Sequence, residues 1–212
     1  MGFFIYLSSL GSLDSLLTSL GKVGSGDDWE TALLDELLAE LDVSALEPDD
    51  KWDLETDLLD GVDARVYPVG RLDMISEGML LLTDDGELKN RLTHPRHTIG
   101  KVYRVKVAGS VSESQYDILT SPLEIDGYTI KPVEVTVTDE DESGTVLKMT
   151  LFEGRNRQIR KMCEEAGLTV KRLSRVSIGN LKLDGLPVGK WRYLEREEVD
   201  YLYKATKELK NV

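Results

Sequence analysis

Apolar and polar positions alternate over Lys101–Val107, with Tyr103, Val105 and Val107 on one face and Arg104 and Lys106 on the other. That period predicts a half-buried strand. Thr129–Thr138 and Gly144–Phe152 alternate in the same way around an acidic turn and read as a strand pair. Gly78–Thr83 (GMLLLT) is a continuous apolar run, the pattern of a buried strand, closed by the turn signal Asp85-Gly86. Shorter strands are predicted at Gly2–Ser8, at Arg65–Val69 with Pro68 inside it, and at Leu168–Ile178. Helical spacing appears at Glu87–Leu92, at Ser112–Leu119 behind the capping-box pair Ser112 and Gln115, and at Glu195–Leu209. Arg157–Ala166 places Ile159, Met162, Cys163 and Ala166 on one face and ends at Gly167. Upstream, Asp28–Leu41 sets a leucine stripe between acids behind a candidate N-cap at Asp27 or Asp28, and Glu47–Lys51 reads as a loop. Strands and helices mix without βαβ regularity or internal repeats, so an α+β fold around a largely antiparallel sheet is expected.

Charge changes this picture by dividing the chain. The net charge of −13 is not spread evenly: residues 1–63 hold 2 Lys/Arg against 16 Asp/Glu, and residues 64–212 hold 24 against 23. An acidic segment over 1–63 and a second domain over 64–212 follow as the expected organisation. Total charge therefore does not argue against a polyanionic partner. Between 154 and 175 seven basic residues stand against two acidic ones, a patch of the kind that attracts phosphates. A single cysteine, Cys163, excludes an internal disulfide framework and a Cys-rich zinc site, and two histidines are too few for most His-based metal sites. No apolar run approaches the roughly 20 residues of a membrane span. The apolar start lacks a basic n-region and a cleavage site, so no signal peptide and a reducing, cytoplasmic setting are expected.

Three segments hold candidate chemistry. In Pro68–Gly86, Arg71 and Asp73 lie two apart in a glycine-led loop before a buried strand, projecting to one side of an extended chain. A carboxylate held this way suits nucleophilic or electrostatic catalysis, although a solvated surface ion pair fits the same residues. Tyr103 in Lys101-Val102-Tyr103 is either core or a flat ring for stacking on a base. In Glu153–Met162 (EGRNRQIRKM), Gly154 precedes a helix start and arginines follow at 155, 157 and 160, a combination suited to phosphate or to a solvated basic face. Ile159 and Arg160 are about 100° apart on a helix, so one can face the core while the other reaches a cleft.

Taken together and in this order, the segments resemble the RsuA/RluB/RluE/RluF family of ribosomal RNA pseudouridine synthases. The family pattern GRLD-x-x-[ST]-EG-LLLLT-x-DG matches Gly70–Gly86, HP-x-x-x-x-K-x-Y matches His94–Tyr103, EGRNRQIR matches Glu153–Arg160, and RL-x-R-x-x-IG matches Arg172–Gly179. The resemblance implies the pseudouridine synthase fold, a mixed, largely antiparallel sheet flanked by helices with a central active-site cleft. It implies isomerisation of a uridine in ribosomal RNA to pseudouridine, with a lean to the large subunit, without cofactor or metal, by a monomer. An RNA-binding or ribosome-assembly factor of the same fold is the alternative function.

By the same resemblance, Asp73 is the carboxylate that attacks the target uridine, at ribose C1′, at base C6 or by way of a glycal. Arg160 is the arginine that pairs with it, Tyr103 packs on the target base, and Ile159 is the apolar surface opposite. Arg71 helps hold the flipped nucleotide. Lys101, to which the resemblance gives no definite role, is expected to contact phosphate. Arg155, Asn156, Arg157, Gln158, Lys161, Arg172 and Arg175 are the expected track for the RNA backbone. Residues 1–63 depart from the family: nothing there resembles its small basic S4-type domain or its Asn-Lys-Pro-x-Gly strand. Phe3–Ser8 has the apolar character and length of the missing strand. Asp84 beside Asp85 is a further departure, since many members carry Asn there.

Overall fold

The computed structural model describes residues 3–8, 62, 65–73, 75–94, 99–183 and 185–207. The chain divides into two units, one of residues 1–10 with 64–212 and one of 11–63. The helix expected at 28–41, the loop at 47–51 and the boundary at Ala64 lie outside the described residues.

A single sheet organises the first unit. Its strands are β1 (Phe3–Ser8), β2 (Tyr67–Pro68), β3 (Glu77–Thr83), β4 (Lys101–Val107), β7 (Glu134–Asp141), β8 (Gly144–Leu151), β9 (Val170–Ile178), β10 (Leu181–Lys182) and β11 (Trp191–Tyr193). The main path runs β11-β1-β3-β9-β4-β8-β7, with β2 on β3 and β10 on β9. Among the described residues every pairing is antiparallel except β3 with β9, where Glu77 faces Ser174 and Gly78 faces Arg175. The α+β reading of a largely antiparallel mixed sheet holds. Phe3–Ser8 lies between β3 and β11, with Phe3 opposite Thr83 and Phe4 opposite Tyr193. Gly78 is required where β3 meets β9, because φ is +111° and a Cβ there stands 2.3 Å from the Arg175 carbonyl oxygen.

Among the described residues the helices are α1 (Gly86–Thr93), α2 (Glu113–Thr120), α3 (Gln158–Glu165) and α4 (Arg196–Ala205). Each begins for a local reason. Asp85, expected in a turn, is the N-cap of α1, accepting from the amides of Glu87 and Leu88. The predicted capping box of Ser112 and Gln115 opens α2. The helix expected from Arg157 starts at Gln158, because Arg157 takes a left-handed conformation (φ 49°) as the turn enters α3.

The pattern missed the small hairpin of β5 (Glu124–Ile125) and β6 (Tyr128–Thr129). Its turn residues Asp126 (φ 53°) and Gly127 (φ 73°) both have positive φ, as a tight hairpin turn demands. The strand expected over Thr129–Thr138 is consequently split, and β7 begins only at Glu134. Strands β10 and β11, two and three residues long, leave too little alternation to read.

Two cores flank the sheet's centre. One gathers Val105, Leu147, Met149, Leu151, Ile159, Met162 and Leu173 from β4, β8, β9 and α3. The other gathers Met79, Leu81, Leu88, Leu92, Ile178 and Leu202 from β3, β9, α1 and α4. Leu151, Ile159 and Leu173 from the first and Val69, Leu92 and Ile178 from the second also line one cleft.

Candidate active site

The cleft has a volume of about 500 Å³ and is lined by Arg71, Asp73, Lys101, Tyr103, Arg155, Arg157, Gln158, Ile159 and Arg175 among others. Segments that are distant in sequence meet there because β9 runs beside both β3 and β4. Arg175 on β9 is paired with Gly78 at the start of β3 and with Tyr103 on β4. The loop before β3 therefore opens next to the tyrosine.

Asp73 is half-buried in that loop. Its carbonyl accepts from the Ser76 amide at 2.9 Å, closing a turn over Asp73–Ser76. Two arginines hold the loop. Arg160 Nη2 donates to the Ile75 carbonyl at 2.7 Å. Arg175 Nη1 donates to the Arg71 carbonyl at 3.3 Å and its Nε to the Met79 carbonyl at 2.8 Å. The loop carrying Asp73 is thus clamped two residues before and two residues after the carboxylate.

Arg175, expected on a surface track for the RNA backbone, is 2% exposed. A charge so buried is tolerable only with acceptors around it, and the two carbonyls supply them. Its role here is to fix the loop. Ser76 Oγ and Arg175 Nη2 are buried with no hydrogen-bond partner among the described residues, and both residues line the cleft. Burial, and then the charge of Arg175, pushes the Lys101 ammonium below its ordinary pKa, which marks a desolvated, electropositive cleft.

The opposite wall comes from the EGRNRQ turn. Glu153 Oε1 accepts from the Lys131 amide at 2.9 Å and from Gln158 Nε2 at 3.1 Å, and Gln158 Oε1 accepts from the Arg155 amide at 3.2 Å. Gln158, also expected on the RNA track, is instead buried with its amide spent on holding this turn. Ile159 is buried beside it and lines the cleft, while Arg155 and Arg157 remain exposed at the rim. Tyr103 is half-buried against the core with its ring among the lining groups.

Four predicted residues are placed outside the lining. Arg160 reaches the site through the Ile75 carbonyl. Asn156 is exposed on the turn. Lys161 pairs with Asp126 of the β5–β6 hairpin, and Arg172 pairs with Glu77 at 2.5 Å while remaining exposed. Cys163 is inert, its thiol pushed up to about 12 by burial. Sequence reasoning overlooked Ser76, Tyr128, Lys131 and Phe152, all of which line the cleft. For Tyr128 the signal was present in Asp126-Gly127, a hairpin dipeptide that would have set Tyr128 at the head of a strand.

Among the described residues lining the cleft, six are Lys or Arg and two, Asp73 and Glu153, are acidic. Glu153 is spent on the turn, so Asp73 is left as a carboxylate in a cationic cleft beside a ring and an aliphatic wall. That arrangement suits a polyanion and can offer one nucleophile or general base to a flat, uncharged group.

A family model described as RNA pseudouridylate synthase matches residues 40–165. An uncharacterized RNA pseudouridine synthase of Aquifex aeolicus is 39% identical over 158 residues, 74% of this chain and 63% of that protein. Ribosomal large subunit pseudouridine synthase B of Bacillus subtilis is 35% identical over 162 residues, 76% of this chain and 66% of that protein. The Haemophilus influenzae protein of the same name is 39% identical over 140 residues, covering 66% of this chain and 39% of its own. A crystal structure of a pseudouridylate synthase superposes with a TM-score of 0.60 at 31% identity, over 65% of this chain and 59% of that one. The chain thus spans about two thirds or less of the length of these relatives.

Proposed function

Since this chain belongs to the RNA pseudouridylate synthase family, in its RsuA/RluB branch, we propose that it converts a specific uridine of ribosomal RNA, in the large subunit, to pseudouridine. The observation that carries the reading is Asp73, held in a clamped loop in a cleft whose other charged lining groups are almost all cationic. The cations neutralise the phosphates around the target, and a uridine turned out of its stack enters the cleft. Tyr103 and Ile159 take the two faces of the uracil ring.

Asp73 attacks, the N1–C1′ bond breaks, the uracil turns within the cleft, C5 bonds to C1′, and Asp73 is released unchanged. C5 then loses its proton and N1, freed from C1′, gains one, so the product is an isomer of the substrate and no co-reactant is consumed. Arg160 and Arg175 act on the loop: they keep the carboxylate aimed while the base turns, Arg160 as its pairing partner. Arg71 and Arg157 meet phosphates or the displaced strand, Arg155 meets the RNA at the rim, and Lys101 meets phosphate within the cleft. The reading includes a monomer working in the cytoplasm without cofactor, and a catalytic domain over 64–212 preceded by an acidic segment over 1–63. The test is to incubate the purified chain with ribosomal RNA transcripts and map pseudouridine at nucleotide resolution. Stoichiometric conversion at one uridine is expected, and no conversion in either subunit's RNA would overturn the reading.

A further inference from the structure

One aromatic ring at the cleft rim has no part in the chemistry at Asp73. Tyr128 is 37% exposed, lines the cleft, and carries the Arg155 guanidinium 3.1 Å from its ring centroid. A lone exposed tyrosine is ordinary, but the hairpin that carries this one is anchored at three points. The Asp126–Lys161 ion pair ties the hairpin turn to α3. The Lys131 amide bonds Glu153 of the EGRNRQ turn at 2.9 Å. Ile125, beside the turn, is buried in the core. The ring and the guanidinium are therefore presented in a fixed frame, with Phe152, equally exposed, lining the same cleft.

We propose that Tyr128 and Arg155 form a stacking platform for an unpaired base next to the target uridine. The inference rests on the cleft being an RNA-modifying site and adds to it the place of a second nucleotide. A guanidinium lying over a ring offers a cationic π-plane, which a nucleobase covers face to face, whereas a phosphate is met by the N–H edge of such a group. Turning the target out of the helix also deprives its neighbour of a stacking partner, and a preformed platform replaces it. Arg157 and Lys131, on the same wall, meet the phosphates on either side.

The test uses the full chain and a stem-loop RNA carrying the uridine that the protein modifies, with 2-aminopurine placed in turn 5′ and 3′ of that uridine. Stacking on the platform quenches 2-aminopurine at one of the two positions. Tyr128→Ala is expected to remove the quench and weaken Kd roughly 5- to 150-fold, while Tyr128→Phe keeps both. An abasic nucleotide at the same position should weaken binding to the wild type by a similar factor and weaken Tyr128→Ala no further, a coupling that a merely structural role for the ring does not produce. Absence of quenching at both positions, or equal Kd for wild type and Tyr128→Ala, would overturn the platform while wild-type pseudouridine formation left the main reading standing. A wild type that forms no pseudouridine in the stem-loop would remove the main reading and the platform with it.

Discussion

Tyr103 shows how one residue's position decides its chemistry. It sits on β4 opposite Met149 on one side and Arg175 on the other, half-buried, so its ring rests on the core and borders the cleft. A ring placed to cover a base needs its faces and not its hydroxyl. Tyr103→Phe should therefore keep most of the pseudouridine-forming activity, and Tyr103→Ala should lose roughly 1–3 kcal/mol of base contact, about a 5- to 150-fold fall in kcat/KM. Equal loss in both variants, measured on one RNA, would give the hydroxyl a direct part in proton transfer. Alternation alone placed Tyr103 correctly on the apolar face, because a two-residue period is insensitive to what lies across the sheet. Arg175 was not legible in that way. It also lies on a strand, among basic neighbours, and only the parallel approach of β3 to β9 buries it and turns it toward the carbonyls of Arg71 and Met79. The burial of Gln158 is not legible for the same reason, since its partners Glu153 and Arg155 close a turn whose shape no period encodes.

Elements were readable where a local signal sets their ends and obscure where tertiary partners do. The α2 capping box is written in four consecutive residues and was found, whereas β10 and β11 exist only because β9 and β1 offer them edges. At α1 the Asp85-Gly86 pair reads as a turn in the sequence because the same dipeptide serves turns and N-caps. Asp85 does more than cap: it also accepts from the Tyr203 hydroxyl, tying α1 to α4. That hydroxyl first, then the Leu88 amide, holds the Asp85 carboxyl below the usual carboxylate range, while the carboxylate pushes Tyr203 up to about 12. A depressed acid stabilises the fold above its unfolded pKa, and the contribution is lost as pH falls through the folded value. For Tyr203 the raised pKa gives stability that is complete below its ordinary value of 10.0 and lost as pH rises through about 12. Asp85→Ala should cost about 1 kcal/mol in thermal melts at pH 7 and flatten the acid limb of stability, with Asp85→Asn retaining the cap and costing less. An acid limb unchanged in Asp85→Ala would place the titration elsewhere.

For the molecule as a whole, charge is the property that governs the approach of the proposed RNA substrate. Residues 1–63 carry 16 acids against 2 bases, whereas the cleft concentrates cations around one working carboxylate. Removing residues 28–41, which hold five acids and no base, should modestly tighten non-specific RNA binding at low salt. The gain should fade as the Debye length falls to about 10 Å near 0.1 M salt. Unchanged affinity at low salt would show that this charge does not reach the RNA, and unfolding on deletion would show that the segment is part of a core. The proposed chemistry turns on Asp73, and an isosteric amide removes its charge while leaving the fold and the cationic cleft in place. Ribosomal RNA from cells lacking the gene, complemented with wild type or Asp73→Asn, should regain pseudouridine at one uridine with the wild type and none with the variant, which binds that RNA at least as tightly because a negative charge is gone. Conversion by Asp73→Asn above about one per cent of the wild-type level would contradict the assignment of Asp73 as the attacking group.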